Sequence, residues 1–154
     1  MRIPKAAWGI VKEVARHLLR RPVCGLVAIA RDPSGRIVLI KRGDTGEWCL
    51  PGGTLEWGET FREMLPRELM EEAGVELLSA GKLLGVYSNP ERDPRFHAVT
   101  AVVEARVSEP KKAPMNSLEI LEVRAFEESE IPSPLSHGMS DVLRRALSGE
   151  QTWE

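Results

Sequence analysis

Residues 53–75 read GTLEWGETFREMLPRELMEEAGV, and the second half of this stretch carries three glutamates close together. A helix turns by about 100° per residue, which places Glu68 and Glu72 one above the other with Glu71 beside them. Like charges one turn apart repel, by roughly 4 kcal/mol for a pair about 4 Å apart in a protein-like dielectric. We therefore expect a cation to neutralise them, and a divalent metal ion is the simplest candidate.

The same stretch contains signals for where its helix begins and ends. Thr60 and Glu63 have the spacing of a capping box, and Gly74 is a common C-terminal stop. These signals predict a helix over residues 61–73. Pro66 lies inside it and removes one backbone hydrogen bond, at a cost of about 3 kcal/mol. A kink is therefore predicted at this position.

Strand patterns surround the helix on both sides. Two apolar runs, residues 23–31 and 36–41, are separated by the turn sequence Asp-Pro-Ser-Gly and predict a hairpin. The further predicted elements are a short extended piece at 48–50, one or two strands at 75–88 (interrupted at Gly81), strands at 96–107 and 119–126, and a closing helix at 133–147. Strands interspersed with helices predict an α/β fold in which both faces of a sheet are covered.

The composition is that of an ordinary globular chain of one domain. The 154 residues are 42% hydrophobic and 29% charged, within the usual range for such domains. The net charge of −2 gives no electrostatic footprint for nucleic acid, and no apolar run is long enough to span a membrane. Cys24 and Cys49 form no close-spaced metal or redox motif, so a reducing cytoplasm is the predicted location.

The first 21 residues are distinct from the rest of the chain. Trp8, Val11 and Leu18 recur at helical spacing, which predicts an amphipathic helix over residues 1–21 ahead of a domain at 22–150. Its apolar stripe is expected to pack on its own domain or, alternatively, on a second subunit in a homodimer. An acidic residue interrupts the basic face that a membrane-surface helix would need.

The pattern of residues 53–75 resembles the Nudix box at every specified position. It runs Gly53, five residues, Glu59, seven residues, Arg-Glu-Leu, one residue, Glu-Glu, one residue, Gly-Val. The preceding GEWCLPGG is also similar to the usual lead-in of that family. The resemblance is specific over residues 46–75 and weaker over 23–148. It implies a Nudix α/β/α sandwich with a mixed sheet, to which the N-terminal helix is an extension.

The resemblance also implies a chemistry and a set of site residues. Nudix proteins hydrolyse a nucleoside diphosphate linked to another group, here most of all a nucleoside diphosphate sugar such as ADP-ribose. The implied cofactor is Mg²⁺, with Mn²⁺ as a substitute, which agrees with ligands that are all oxygens. The implied metal ligands are the Gly52 carbonyl, Glu68, Glu71 and Glu72. Glu68 is alternatively the base that activates water, while Arg67 is implied to orient Glu68 and to pair with Glu59.

Several residues outside the box are candidates for the substrate side of the site. The loop at 87–95 resembles a subset of Nudix proteins described as ADP-ribose pyrophosphatases. The candidate substrate-binding residues are Arg42, Trp48, Tyr87, Arg92 and Arg95, the arginines for phosphate or ribose and the aromatic residues for a base. Each has a structural alternative, a solvated loop or core packing. Glu119 is the first candidate for a further catalytic glutamate, and Glu122 is the second.

Three other functions stay open at this point. A nucleoside triphosphate pyrophosphohydrolase would release pyrophosphate, whereas a nucleotide sugar would give a sugar phosphate. A non-catalytic nucleotide-binding module would have no need for the intact acidic trio. An isomerase of isoprenoid diphosphates shares the fold, but no arrangement of cysteine and glutamate singles it out here. In each case the expected partner is a small molecule.

Overall fold

The computed structural model describes residues 21–154, which form one mixed sheet between two helices. The strands are β1 (Val23–Arg31), β2 (Ile37–Arg42), β3 (Trp48–Cys49), β4 (Gly52–Thr54), β5 (Leu77–Tyr87), β6 (Ala98–Val107), β7 (Ile120–Phe126) and β8 (Thr152–Trp153). The helices are α1 (Phe61–Ala73) and α2 (Met139–Leu147), with short 3-10 turns at Glu128–Glu130 and Ser136–Gly138. The helix predicted over residues 1–21 lies outside the described residues except for Arg21. Neither helix of the described part is long and apolar enough to cross a membrane.

The two strands that the sequence predicts as a hairpin are neighbours in the sheet. The strand order of the sheet is β3-β2-β1-β6-β5-β8, with β4 also on β1 and β7 also on β2. β1 and β2 are antiparallel neighbours, but they pair only at Arg31 and Ile37. β1 runs parallel to β6 along its whole length, and β2 pairs with β7. Because β1 diverges from β2, the short strand β4 can pair with β1 and bring Gly52 and Gly53 to the site.

Each face of the sheet has its own hydrophobic core. Residues alternate between the faces along a strand, so that in β1 Leu26 and Ala28 pack towards α1 while Val27 and Ile29 pack towards α2. From α1 the first core receives Met64, Leu65, Leu69 and Ala73, and from α2 the second receives Val142 and Leu143. Burying one such aliphatic side chain contributes about 1.5–3 kcal/mol. The two cores therefore confirm the predicted sandwich and hold α1 in a fixed position on the sheet.

Helix α1 forms where its end signals predict. Thr60 Oγ1 accepts from the backbone N–H of Glu63, and the Glu63 carboxylate accepts from the backbone N–H of Thr60. Gly74 ends the helix in the left-handed region at φ 62°. Pro66 does not break the helix, which is continuous from Phe61 to Ala73. Both Pro66 and Arg62 are exposed, so water can satisfy the carbonyl that the proline leaves without a donor. A bend of the axis at this point stays a prediction.

Some element bounds differ from the predicted ones near the site. The final helix begins at Met139 instead of 133, because His137 has φ 54° and ψ 38° inside the preceding turn. The strand predicted from Phe96 begins at Ala98, which leaves Phe96 in a loop. β5 is one strand whose pairing with β6 shifts around Gly81. Strand β8, which adds to the edge of β5, was not predicted.

Candidate active site

A cleft of about 560 Å³ lies between α1, β4 and the loops that follow β2 and β5. One group of lining residues, called the glutamate wall, consists of Gly52, Gly53, Glu68, Glu71 and Glu72. A second group, called the loop wall, consists of Arg42, Asp93, Arg95, Phe96 and His137. Glu119 also lines the cleft. The structure thus brings the acidic residues of the box together with Arg42, Arg95 and Glu119 from distant parts of the sequence.

Glu72 is the most buried carboxylate of the glutamate wall, with 9% of its surface exposed. Its Oε2 accepts a hydrogen bond of 2.9 Å from the backbone N–H of Gly52. Burial raises the pKa of Glu72 to about 8; the Gly52 hydrogen bond opposes this rise, and the charge of Glu68 adds to it. A carboxylate in this environment is stabilised in its charged form by a nearby cation.

The two glycines of the glutamate wall allow β4 to approach its neighbours closely. Gly52 has φ 150°, and a Cβ there would lie 2.2 Å from the carbonyl oxygen of Leu26. A Cβ on Gly53 would lie 2.4 Å from Oε1 of Glu68. The absence of a side chain at Gly52 therefore lets β4 lie close to β1, and its absence at Gly53 leaves room for the Glu68 carboxylate.

Arg67 connects the loop before α1 to the glutamates of the helix. It donates from Nε and Nη2 to the two carboxylate oxygens of Glu59, at 2.7 and 2.8 Å. Its Nη1 donates to Glu68 at 3.0 Å and to Glu71 at 3.3 Å. The ion pair with Glu59 is the one predicted from the sequence. Burial raises the pKa of Glu68, an effect that the charge of Arg67 opposes.

The donors of the glutamate wall suit a divalent cation in chemistry and location. Carboxylate oxygens from Glu68, Glu71 and Glu72 face one cleft, and such hard ligands favour Mg²⁺ or Mn²⁺. Within residues 21–154, no three His, Cys, Asp or Glu side chains are arranged to hold an ion as they stand. Arg67 engages Glu68 and Glu71, whereas Glu72 bonds to Gly52. Each of the three carboxylates thus uses one of its oxygens in a hydrogen bond to Arg67 or Gly52.

Glu119 reaches the cleft at the start of β7, as the sequence predicts. Its side chain is 49% exposed, lies 3.7 Å from Nη2 of Arg42 and accepts a hydrogen bond of 3.3 Å from Asn116. Glu122, the second candidate, pairs with Arg124 and does not line the cleft. Of the two candidate glutamates, Glu119 is therefore the one that lines the cleft.

The loop before Glu119 is attached to the end of α1. The backbone N–H of Met115 donates to the carbonyl of Glu71 at 2.9 Å, and that of Lys111 donates to the carbonyl of Gly74 at 3.3 Å. A Cβ on Gly74 would lie 2.1 Å from the carbonyl oxygen of Lys112. Gly74 thus both ends the helix and admits this loop, which fixes Glu119 relative to the glutamate wall.

The loop wall contains charges that are paired with one another. Arg42 donates to both oxygens of Asp44, at 2.9 and 3.1 Å. Arg95 donates to both oxygens of Asp93, at 3.0 and 2.8 Å, and lies 3.9 Å from Asp44. The hydrogen bond from Arg42 lowers the pKa of Asp44 to about 2. Burial lowers the pKa of His137, whose Nε2 is 3.7 Å from Asp44.

Three predicted substrate-binding residues are not brought to the cleft. Trp48 packs edge to face on Phe126, with the ring centroids 4.9 Å apart. Tyr87 is buried in the core on the α2 side of the sheet. Arg92 lies over the ring of Tyr87 and pairs with Asp141 and Glu154. Trp48 and Tyr87 thus serve core packing, and Arg92 attaches its loop to the rest of the domain.

The cleft also contains residues that the sequence reasoning missed. Asp93, Phe96 and His137 line it, although Phe96 was assigned to a strand and His137 to a helix. Asp93 could have been found from its spacing to Arg95, because carboxylate and guanidinium two residues apart in a loop readily pair. No local signal distinguishes the other two.

Comparison with known proteins places this architecture in one family. The family model described as NUDIX domain matches residues 20–146 of the chain. The chain belongs to the NUDIX family. The match includes the whole of α1, both glycines of β4 and the segments that supply the loop wall. Both walls of the cleft are therefore parts of the Nudix domain.

Individual Nudix relatives differ in the activity that their names state. The chain is 45% identical over 74 residues to an ADP-ribose pyrophosphatase of Methanocaldococcus jannaschii, covering 46% of this chain and 43% of the relative. It is 32% identical over 138 residues to the human 8-oxo-dGDP phosphatase NUDT18, covering 86% and 42%. The chain thus spans less than half the length of these curated relatives. The crystal structure of a MutT NUDIX hydrolase from Burkholderia pseudomallei superposes with a TM-score of 0.68 at 32% identity, covering 84% of this chain and 98% of that one.

Proposed function

We propose that this Nudix protein hydrolyses the diphosphate bond of a nucleoside diphosphate linked to another group, with a nucleoside diphosphate sugar such as ADP-ribose as the first candidate. The observation that carries the proposal is the convergence of four glutamates on one cleft, one of them almost fully buried. Clustered carboxylates repel one another, and the cations that relieve the repulsion also neutralise diphosphates.

The proposed ligands of Mg²⁺ or Mn²⁺ are the Gly52 carbonyl, Glu68, Glu71 and Glu72. When bound, such an ion supplies Lewis acidity and neutralises the charge that develops on the phosphoryl oxygens. The cleft is large enough for part of a nucleotide substrate to be sequestered.

The protein's own groups have separate proposed roles in the reaction. Glu119 accepts the proton of the attacking water, because its carboxylate is exposed to the cleft and is not bonded to Arg67. Arg67 positions Glu68 and holds the loop before α1. Arg42 Nη2 lies 3.7 Å from Glu119, close enough to orient its carboxylate.

A second candidate is hydrolysis of a nucleoside triphosphate or an oxidised nucleotide. It is favoured by the human relative named 8-oxo-dGDP phosphatase, whose aligned region covers 86% of this chain. The two candidates use the same glutamate wall and differ in the leaving group. The products therefore distinguish them.

The test is a substrate panel with Mg²⁺ or Mn²⁺ and the full chain, with products separated by ion-exchange chromatography. ADP-ribose is expected to give AMP and ribose 5-phosphate. Release of pyrophosphate from a triphosphate, or of phosphate from 8-oxo-dGDP, at a much higher kcat/KM would favour the second candidate. A folded protein that leaves ADP-ribose, UDP-glucose, dGTP and 8-oxo-dGDP intact with both metals would contradict the proposal.

The cytoplasm is the proposed compartment, and a homodimer is the proposed assembly. Cys24 and Cys49 are both free thiols, which supports a reducing compartment such as the cytoplasm. A homodimer formed through residues 1–21 is tested by light scattering of a chain that lacks them, since an unchanged oligomeric mass would exclude this role.

A further inference from the structure

Arg95 and its neighbours present a rigid, flat surface in the cleft. The guanidinium is held by two hydrogen bonds to the Asp93 carboxylate, at 3.0 and 2.8 Å. Its central carbon lies 5.0 Å from the centroid of the Phe96 ring. Asp93 is only 10% exposed in its side chain, whereas Arg95 is 39% exposed. The fork of Asp93 thus fixes the plane of the guanidinium and leaves part of it open to the cleft.

The charges around this surface compensate one another. Arg42 and Arg95 are matched by Asp44 and Asp93, and Asp44 lies between the two arginines. Two arginines already engaged in bidentate pairs attract a phosphate less than two free ones would. The buried Nε2 of His137 has no hydrogen-bond partner within residues 21–154, and burial lowers the pKa of this imidazole. The loop wall therefore suits a group that is uncharged and polar.

Of the Phe, Tyr and Trp residues in the described chain, Phe96 is the one that lines the cleft. Trp48 and Tyr87, the aromatic residues expected to stack on a base, are used in packing. Nucleobases stack on aromatic rings and on guanidinium planes alike. Arg95 lies over Phe96, so the two residues together offer a guanidinium plane and an aromatic ring.

We infer that Arg95, held flat by Asp93 and supported by Phe96, is the platform on which the nucleobase of the substrate stacks. Arg95 is then a base-binding residue and not a phosphate clamp, and the diphosphate lies on the glutamate wall. The inference rests on the proposed function in that it takes the substrate to be a nucleotide. It adds the place of the base and the residue type that recognises it.

The test measures binding of AMP and ribose 5-phosphate by calorimetry in the presence of Mg²⁺. The two probes share a ribose phosphate and differ in the base. The Arg95→Lys variant keeps the positive charge but lacks the planar guanidinium group. It is expected to weaken AMP binding roughly tenfold, as for the loss of one base stack, and to leave ribose 5-phosphate unchanged. Phe96→Leu, which keeps the apolar volume, is expected to weaken AMP binding in the same selective way.

Arg124→Lys is the matched control. Arg124 also pairs with a carboxylate, that of Glu122, and lies over the ring of Trp48 at 5.6 Å, but it is outside the cleft. This variant is expected to bind AMP as the unaltered protein does. Circular dichroism and thermal unfolding of all variants establish that they are folded.

Two results would overturn the inference. One is equal binding of AMP and ribose 5-phosphate by the unaltered protein. The other is an Arg95→Lys variant that keeps the preference for AMP. In that case Arg95→Gln should weaken the binding of AMP and of ribose 5-phosphate equally, as expected for a phosphate contact. Because neither probe is hydrolysed, the outcome is independent of the substrate panel. An AMP preference that depends on Arg95 in a protein without hydrolytic activity would support the platform and contradict the proposed function.

Discussion

The glutamate wall and the loop wall of the same cleft are built in different ways. All five residues of the glutamate wall come from one stretch, residues 52–72, and three of them lie on a single helix. The loop wall takes its members from the end of β2, the loop after β5 and the turn before α2. The first wall has an excess of negative charge, whereas the second has paired charges.

This difference indicates a division of tasks. A wall with more carboxylates than positive charges favours a cation and so suits the part of the reaction shared by all diphosphates. A charge-compensated wall with a planar surface suits the recognition of the group that differs among substrates. Changes in the first wall should therefore affect turnover, and changes in the second should affect the choice of ligand.

The largest expected effect comes from Glu72→Gln. The amide keeps the size of the side chain but removes the charge that a cation needs, so we expect a loss on the order of 3 kcal/mol or more in kcat/KM. Steady-state kinetics on ADP-ribose with Mg²⁺ measures it. Glu122→Gln, outside the cleft, is the control and should retain normal activity. Normal turnover by the Glu72→Gln variant would contradict the assignment of turnover to the glutamate wall.

Glu119→Gln is expected to lower kcat roughly a hundredfold with little change in KM, as for the loss of a general base. The reason is that Glu119 faces the cleft between the walls and is not bonded to Arg67. The pH profile of kcat provides the second readout, since the limb at low pH should change when the base is removed. Unchanged kcat and pH profile would assign the role of base to Glu68 instead.

Gly53→Ala tests how closely the glutamate wall is packed. The new methyl group would lie 2.4 Å from Oε1 of Glu68, and this flexible carboxylate would have to move. We expect about a tenfold loss in kcat with a small change in thermal stability. Gly58→Ala is a suitable comparison, because Gly58 has φ 85° but nothing lies within 4 Å of the added methyl. Because the described residues leave the space at Gly58 open, that variant should lose some stability and retain turnover, the reverse of the Gly53 result.

The smallest effect concerns the support of the loop wall. The hydrogen bond from Arg92 lowers the pKa of Glu154 from 4.5 to about 2. A lowered pKa means that this pair stabilises the fold above about pH 4.5 and loses its effect as the pH falls towards 2. Glu154→Gln should therefore lower the free energy of unfolding by less than about 1 kcal/mol at pH 7, and by a smaller amount near pH 2. Urea unfolding at both pH values measures the difference; an equal loss at both would show that the pair does not act through its charge.

Much of the fold follows from local patterns in the sequence. β1 has the predicted bounds, the capping box and Gly74 delimit α1, and Arg67 makes its predicted pair with Glu59. The bounds of β1 and α1 depend on residues close together in the sequence, so local patterns specify them, whereas the Arg67–Glu59 pair followed from the resemblance to the Nudix box. The predicted β1–β2 hairpin is confirmed as an antiparallel pair, but its strands pair only next to the turn, because β4 and β7 take the strand edges further along.

The sequence by itself determined the glutamate wall, because helical periodicity puts Glu68, Glu71 and Glu72 on one side of α1 and glycines precede it. Only the tertiary structure decided the loop wall, where Arg42, Arg95 and His137 meet although no local period relates them. It also decided that Trp48, Tyr87 and Arg92 serve packing and loop attachment. The physical reason is that charge pairing and aromatic contacts between loops depend on which strand edges meet, and those pairings are made between distant parts of the chain.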